Sequence, residues 1–547
     1  MAWLAPVLGA AAALVLGWRR EVAANPAEFA AVAAYWAMPG LVAVGFCTGF
    51  LVRRAPAPGG TRGTWLGFCA AAALALLAAT LAPPTQRMQF DETSLAGTAL
   101  DMHRHRAATM TTAAVPFEGA AAAVERTQDK RPPLWPFLAS VVHDLTGPRP
   151  GNGFAVNLLL FAGLLWLVHR WLTPTLGPVG AVSGPLLVLA CPAVVLAATS
   201  GGFELLALVL LGTVLTLARA HLAAPSPARA AHLMAWVGLA AASRYETGPL
   251  ALWVAGPVWW WTRRVPGVVR AVVGTGGLLL PLLVPLGWLA SHAQRADFHP
   301  EAAGRPTVAF GHVVANLPPL LHGLFVAGGP WPIALPWLGA VGWLVRWRRR
   351  RVGRLDGLVV GTVGAATGIV LLWFFGDVRD PGAVRLYLPV ALLGTLAPLL
   401  WAPMLPQRWR TAVVLALAAG CAFWRGVDFA AGRLAQPQAT AAAVAEVVAV
   451  ARRHQAPGTL WVTFAAQALV VEGWAAMPPA AFARHAAEVR DLRRRGEVQQ
   501  VLVLETPWDA AFAPAFGGVA ELLAPGLATV AARRDGPLPV TVWRLRS

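Results

Sequence analysis

Two adjacent carboxylates, Asp91-Glu92, follow a long apolar run in the segment Gln89-Phe90-Asp91-Glu92-Thr93. Such a pair at the edge of an apolar stretch has three uses. It can be the acidic first turn of a helix, a general base or part of a metal site. A second polar group is Asp129-Lys130-Arg131-Pro132-Pro133-Leu134-Trp135-Pro136. Lys130 is the only lysine in the chain, and every other basic side chain is Arg or His. The Pro-Pro pair forbids helix and fixes an extended turn. Trp135 suits a membrane interface. The cations beside it either contact headgroups or clamp one anionic headgroup.

Three further groups sit at the ends of apolar runs. In Ser243-Arg244-Tyr245-Glu246 the arginine either pairs with Glu246 or takes a phosphate with two prongs. Glu204 is a lone acid opening an apolar run after Gly202-Phe203. Arg385 and Tyr387 open another in Arg385-Leu386-Tyr387-Leu388-Pro389. Ionisable groups beside apolar spans are costly, and by default they are functional.

The elements that position these groups are membrane spans. The chain has 547 residues, is 57% hydrophobic and only 13% charged, with a mean hydropathy of +0.58. A soluble domain carries about 25% charged residues, so a water-soluble globule is excluded. The expected spans are 2–18, 29–52, 64–83, 153–172, 178–198, 203–222, 232–244, 246–262, 268–291, 328–347, 355–375, 386–405 and 411–427. The pair 232–244 and 246–262 reads as two spans or one broken hairpin, so 11–13 transmembrane helices are expected. The stretch 2–18 has no basic start and reads as a retained anchor rather than a cleaved signal.

The net charge is +18, yet its layout does not suit nucleic acid. Arginines cluster between apolar stretches, as in Arg53-Arg54, Arg263-Arg264 and Arg348 to Arg351, with no basic stripe interleaved with aromatics. With 53–63 in the cytoplasm, the cytoplasmic loops hold about 17 Arg against about seven in the opposite loops. The segment 84–152, the loop 292–327 with Pro318-Pro319, and the region after Asp428 are then extracytoplasmic. That last region holds 12 Arg and 10 acidic residues. It alternates helical patterns (439–454, 479–495) with strand patterns (459–464, 499–505, 540–545), which predicts a small α/β domain over 428–547. Cys47, Cys69, Cys191 and Cys421 lie in apolar stretches without metal spacing, so no disulfide or structural zinc is expected.

With these groups in this order, the chain resembles the GT-C glycosyltransferases. More narrowly, it is similar to the branch with protein O-mannosyltransferases and the lipid A aminoarabinose transferase. The carrying residues are Asp91-Glu92, then Lys130-Arg131-Pro132-Pro133-Leu134-Trp135-Pro136 ahead of an amphipathic stretch with His143, then Arg244-Tyr245-Glu246 and Arg385-Leu386-Tyr387-Leu388-Pro389. The resemblance covers about residues 64 to 427. It implies an all-α polytopic membrane fold: membrane helices over 1–63, a catalytic domain over 64–427, and the α/β domain. It implies transfer of a hexose or pentose from a polyprenyl-phosphate donor to a lipid, glycan or protein acceptor, with inversion, at the outer face of a plasma or bacterial inner membrane. Asp91 matches the family's base on the acceptor, and Glu92 its neighbour. Lys130, Arg131, Arg244, Arg385 and Tyr387 match donor-phosphate contacts. Glu204, Tyr245, Glu246, Trp135 and His143 fall to the substrate pocket. The pattern often has Glu before the Lys where this chain has Asp129, so a divalent metal at Glu92 and Asp129 is the weakest carry-over. The first two spans precede the pattern's usual start.

A donor already charged with its sugar explains the lack of a nucleotide-binding motif. The competing reading is a transporter or flippase of an anionic lipid-linked substrate. That would set charges on broken helices at the midplane, often within an inverted repeat, and the sequence shows no repeat.

Overall fold

The structure, a computed structural model, describes residues 26–52, 60–87, 89–292, 308–325, 334–349, 353–373, 376, 385–430, 436–505, 527–533 and 540–545. The expected first span, 2–18, lies outside these residues.

The first helices are α1 (Pro26–Leu51), α2 (Gly60–Leu81) and α3 (Gln89–His105). A hairpin of β1 (Thr109–Phe117) and β2 (Ala120–Gln128) follows, then α4 (Leu134–Thr146). The bundle continues with α5 (Asn152–Gly180), α6 (Ser183–Leu189), α7 (Pro192–Ala198), α8 (Glu204–Ala223), α9 (Pro227–Ala241), α10 (Thr247–Thr262) and α11 (Val268–His292). Next come α12 (Gly311–Phe325), α13 (Ala334–Arg348) and α14 (Arg354–Leu372). A 3-10 turn, Arg385–Tyr387, leads into α15 (Leu388–Leu396), and α16 (Gln407–Ala430) closes the membrane part.

The chain is a multi-pass membrane protein. Among the described residues seven helices are long and apolar enough to cross a bilayer, and Trp65–Leu81 adds a shorter apolar helix. The difference from the expected count has physical sources. The span 178–198 is not one helix. Gly177 takes φ 72°, Pro178 follows, and two seven-residue helices, α6 and α7, make the pass. Cys191 is extended before Pro192, as a residue ahead of proline must be. The stretches 232–244 and 246–262 are two separate helices of 15 and 16 residues, too short for the usual 20. One apolar core, including Met38, Leu41, Phe161, Leu165, Leu205, Leu233, Val254 and Tyr387, binds the bundle together.

The segment 84–152 is folded rather than a loop. The hairpin turn uses Glu118 and Gly119, both with positive φ (49° and 77°), the pattern of a two-residue type I′ turn. Its sequence lacks the usual Asn-Gly signal, and the strand was not expected.

The C-terminal domain comprises α17 (Gln436–His454), β3 (Thr459–Val462), α18 (Ala466–Val471), β4 (Ala476–Met477), α19 (Pro479–Arg484), α20 (Ala486–Arg494), β5 (Gln500–Glu505), β6 (Leu527–Arg533) and β7 (Val540–Leu545). Its sheet has the order β4-β3-β5-β7-β6. β3 runs parallel to β4 and β5, while β7 is antiparallel to β5 and β6. The hairpin packs against the β4 edge. Ala114 joins the core on one sheet face with Trp461, Leu502 and Val542, whereas Ala113 and Val115 join Leu460, Val462 and Val503 on the other. The alternation of β1 thus continues both faces of a sheet that lies far away in sequence.

Candidate active site

The polar groups converge where α3, α8, α10 and α15 begin. Asp91, in the first turn of α3, is gripped by Arg131 through one oxygen and by Arg385 through the other. Arg131 Nη1 also lies 2.8 Å from Asp129 Oδ1. Arg385 Nη1 stands 3.2 Å from Glu204 Oε1, and Arg244 Nη1 stands 3.3 Å from the same oxygen. Arg244 Nε lies 2.7 Å from Glu246 Oε1. The result is one alternating chain: Asp129, Arg131, Asp91, Arg385, Glu204, Arg244, Glu246. Four acids alternate with three arginines, so each arginine lies between two acids, and the inner acids Asp91 and Glu204 are each shared by two arginines.

Burial sharpens these contacts. Arg244 and Glu204 are 6% and 5% exposed. The Arg244 guanidinium also lies over the Phe203 ring, 4.7 Å from its centroid. Its Nε–H does not point at Glu246, so the close approach is a charge contact and that N–H lacks a hydrogen bond. Burial alone would raise the Asp91 carboxyl's pKa, but Arg131 and Arg385 outweigh it and hold the group well below the usual carboxylate range. Burial likewise disfavours charge on Arg131, and Asp129 and Asp91 more than restore it. Lys130 is half-buried beside this chain and makes no hydrogen bond or ion pair with a described residue.

The remaining expected site residues surround this chain of charges or prop its turns. Glu92 is buried and accepts from the backbone N–H of Arg87 (3.0 Å) and of Gly201 (2.8 Å). It ties α3 to the turn that delivers Glu204. Trp135 is fully buried, and its Nε1–H donates to Asn157 Oδ1 at 2.9 Å. Asn157 in turn donates to the carbonyls of Ser200 and Gly202. Trp135 therefore props that same turn from behind. The buried Tyr387 hydroxyl donates to the Gly376 carbonyl at 2.8 Å. His143 pairs with Asn152 at 2.8 Å, beside His103. Burial, then His103, pushes its pKa down. Tyr245 is 46% exposed next to the arginine chain.

A metal does not fit Glu92 and Asp129. The oxygens of Glu92 already accept two backbone amides, and Asp129 Oδ1 takes Arg131 N and Nη1. Among the described residues no cluster of three or more His, Cys, Asp or Glu side chains could hold an ion.

Four members of the charge chain, Glu204, Arg244, Glu246 and Arg385, line the polar end of a small cleft. Leu208, Leu211 and Pro389 belong both to this cleft and to an apolar groove that continues past Leu164, Trp171, Leu215 and Leu396. The charged cleft thus adjoins an apolar groove between α5, α8 and α15.

Sequence reasoning missed Arg87, Asn157 and Gln467. Arg87 is buried and donates to Thr199 Oγ1 and to the carbonyls of Pro83 and Leu196. An arginine three residues after Pro83-Pro84, next to an apolar span, was the available signal.

No protein-family model matches the chain, and no curated protein matches it in sequence. Solved structures do match in shape. ArnT from Cupriavidus metallidurans bound to undecaprenyl phosphate superposes with a TM-score of 0.54 at 15% identity, over 88% of this chain and 98% of that one. The apo state of the same protein gives 0.53 at 16% identity, over 86% and 97%. The chain thus shares the fold of that protein over 86–88% of its length.

Proposed function

We propose that the chain is a membrane glycosyltransferase that moves a sugar from a polyprenyl-phosphate donor to an acceptor at the extracytoplasmic face. The observation that carries this reading is a cleft that presents Arg244 and Arg385 and shares lining residues with an apolar groove. A lipid-linked phosphate needs both: cations for the head and a channel for the tail. The solved ArnT neighbour, which bound undecaprenyl phosphate, supports the same ligand class. A transporter reading gains nothing from the geometry, because the charges gather at helix starts rather than along mid-helix breaks.

In this mechanism Arg244 and Arg385 hold the donor phosphate, and Lys130 adds a positive charge between Asp129 and Arg131. Phosphate in the fork of Arg385 displaces Asp91, which keeps Arg131 alone. The freed carboxylate then takes the proton of the acceptor hydroxyl or amine. The acceptor attacks the anomeric carbon from the opposite face, and the bond from that carbon to the phosphate oxygen breaks. Polyprenyl phosphate leaves with both bonding electrons, and the arginines meet its developing charge. Glu92, Trp135 and Tyr387 keep the surrounding turns in place. The arginine-rich loops, including Arg263 over the Trp260 ring, support a cytoplasmic position for the opposite helix ends.

The test is to incubate the purified protein with a panel of polyprenyl-phosphate sugars and follow donor loss by mass spectrometry. Turnover of one donor is expected. No loss of any donor, together with no binding of polyprenyl phosphate, would sink the reading.

A further inference from the structure

The C-terminal domain reaches the helix that carries the candidate base. α18 packs on both α3 and β1. Gln467, near its start, bridges them. Its Oε1 accepts from Ser94 Oγ at 3.1 Å, and its Nε2 lies 2.8 Å from Met110 Sδ. The approach is close because the facing position is Gly97, where a Cβ would stand only 3.2 Å from Gln467 Nε2. Ser94 is three residues beyond Asp91, hence its neighbour on the helix surface. One position on from Asp91, Glu92 ties the same turn to Gly201 in the membrane bundle at 2.8 Å.

The first turn of α3 is therefore held from two sides, by the bundle through Glu92 and by the C-terminal domain through Ser94. Loss of either tie is expected to loosen this turn and shift Asp91 relative to Arg131 and Arg385. Displacement of a reacting group by about 1 Å can cost roughly 100-fold in rate. The docking is broad as well. The hairpin that shares the core of the C-terminal sheet is joined directly to α3 by the residues after His105.

We propose that Gln467 is a positioning residue for Asp91, and that the C-terminal domain is thereby a working part of the catalytic site. This rests on the glycosyltransferase reading above. It acts on the rate of the chemical step and not on donor binding, because Gln467 lies outside the cleft that receives the donor.

The experiment compares wild type with Gln467→Leu, Gln467→Glu, Ser94→Ala and the double variant Ser94→Ala/Gln467→Leu, all in the full-length protein. Gln467→Leu is expected to lower kcat by about 10- to 100-fold with the donor KM unchanged. Gln467→Glu keeps the acceptor for Ser94 and is expected to retain most of the activity. The double variant is expected to be no slower than the worse single one. Wild-type kcat in Gln467→Leu, or a loss confined to KM, overturns the inference while leaving the glycosyltransferase reading intact. If wild type neither turns over nor binds a donor, that reading falls, and amide hydrogen exchange across 89–105 decides this one. Faster exchange in Gln467→Leu upholds the anchor, and unchanged protection overturns it.

Discussion

Arg385 and Asp91 form a direct ion pair that joins the turn before α15 to the first turn of α3. The pair closes the alternating chain across the cleft. Asp91 thus stands where a phosphate would stand, in front of the same guanidinium. With both oxygens held by arginines, the carboxylate is a weak base, and under the proposed function a donor phosphate at Arg385 would release one of them.

Replacing Asp91 with Asn should lower kcat by about 10²–10⁴-fold, the usual contribution of a general base. Donor affinity should hold or improve, since Arg131 and Arg385 lose a competing carboxylate. Donor binding measured by titration, alongside single-turnover rates, checks both halves. Full activity in this variant would remove the base assignment.

Arg385→Ala should weaken donor binding by roughly 10- to 100-fold, the worth of a charge-assisted contact of about 1.5–3 kcal/mol. Arg385→Lys should recover only part of it, because an ammonium lacks the two-pronged grip. Arg244→Ala should behave like Arg385→Ala, since both arginines meet at Glu204 Oε1. Unchanged affinity in both alanine variants would count against the phosphate site.

The pH dependence follows from the grip on Asp91. Its folded pKa is depressed by Arg131 and Arg385 against the opposing effect of burial. The stabilisation from these pairs is therefore complete above the ordinary aspartate value near 3.9 and fades only as pH falls through the lower folded value. When donor phosphate takes Arg385, one cause of the depression goes and burial weighs more. The acid limb of kcat should then lie at higher pH than the acid limb of kcat/KM. Coincident limbs would show that donor does not displace the carboxylate.

Glu92→Gln should act on stability first. Its carboxylate accepts from two backbone amides, whereas an amide side chain offers a single acceptor oxygen. One buried N–H loses its partner, at a cost of about 1–3 kcal/mol. A lower melting temperature and a lower kcat are expected, with donor affinity near that of wild type. A Tm equal to that of wild type would deny Glu92 its tethering role.

Much of the bundle was legible because apolar length is a strong signal in a chain with so few charges. The charged site residues were legible for the same reason: Asp91, Arg244, Glu204 and Arg385 each interrupt an apolar run, and the structure places all four in one chain. What was hidden lay in contacts between distant segments. Glu92 reads as the twin of Asp91, yet it points to the backbone, since adjacent helical positions face different ways. Trp135 and Tyr387 look like site residues by type, but their polar atoms are spent on Asn157 and the Gly376 carbonyl. The hairpin was missed because Glu118-Gly119 is a weak turn signal and its alanine-rich strands have little strand propensity. Gln467 carries no mark in sequence at all, and only the docking of α18 shows it.

The meeting of the 109–128 hairpin with the C-terminal sheet has a topological consequence. Segments that share one core lie on one side of the bilayer. The chain must therefore cross the membrane an even number of times between Gln128 and Thr459, whatever the status of each short helix. Any assignment that makes one of the broken passes a dead end must find a second such pass, or the hairpin and the sheet would be parted by lipid.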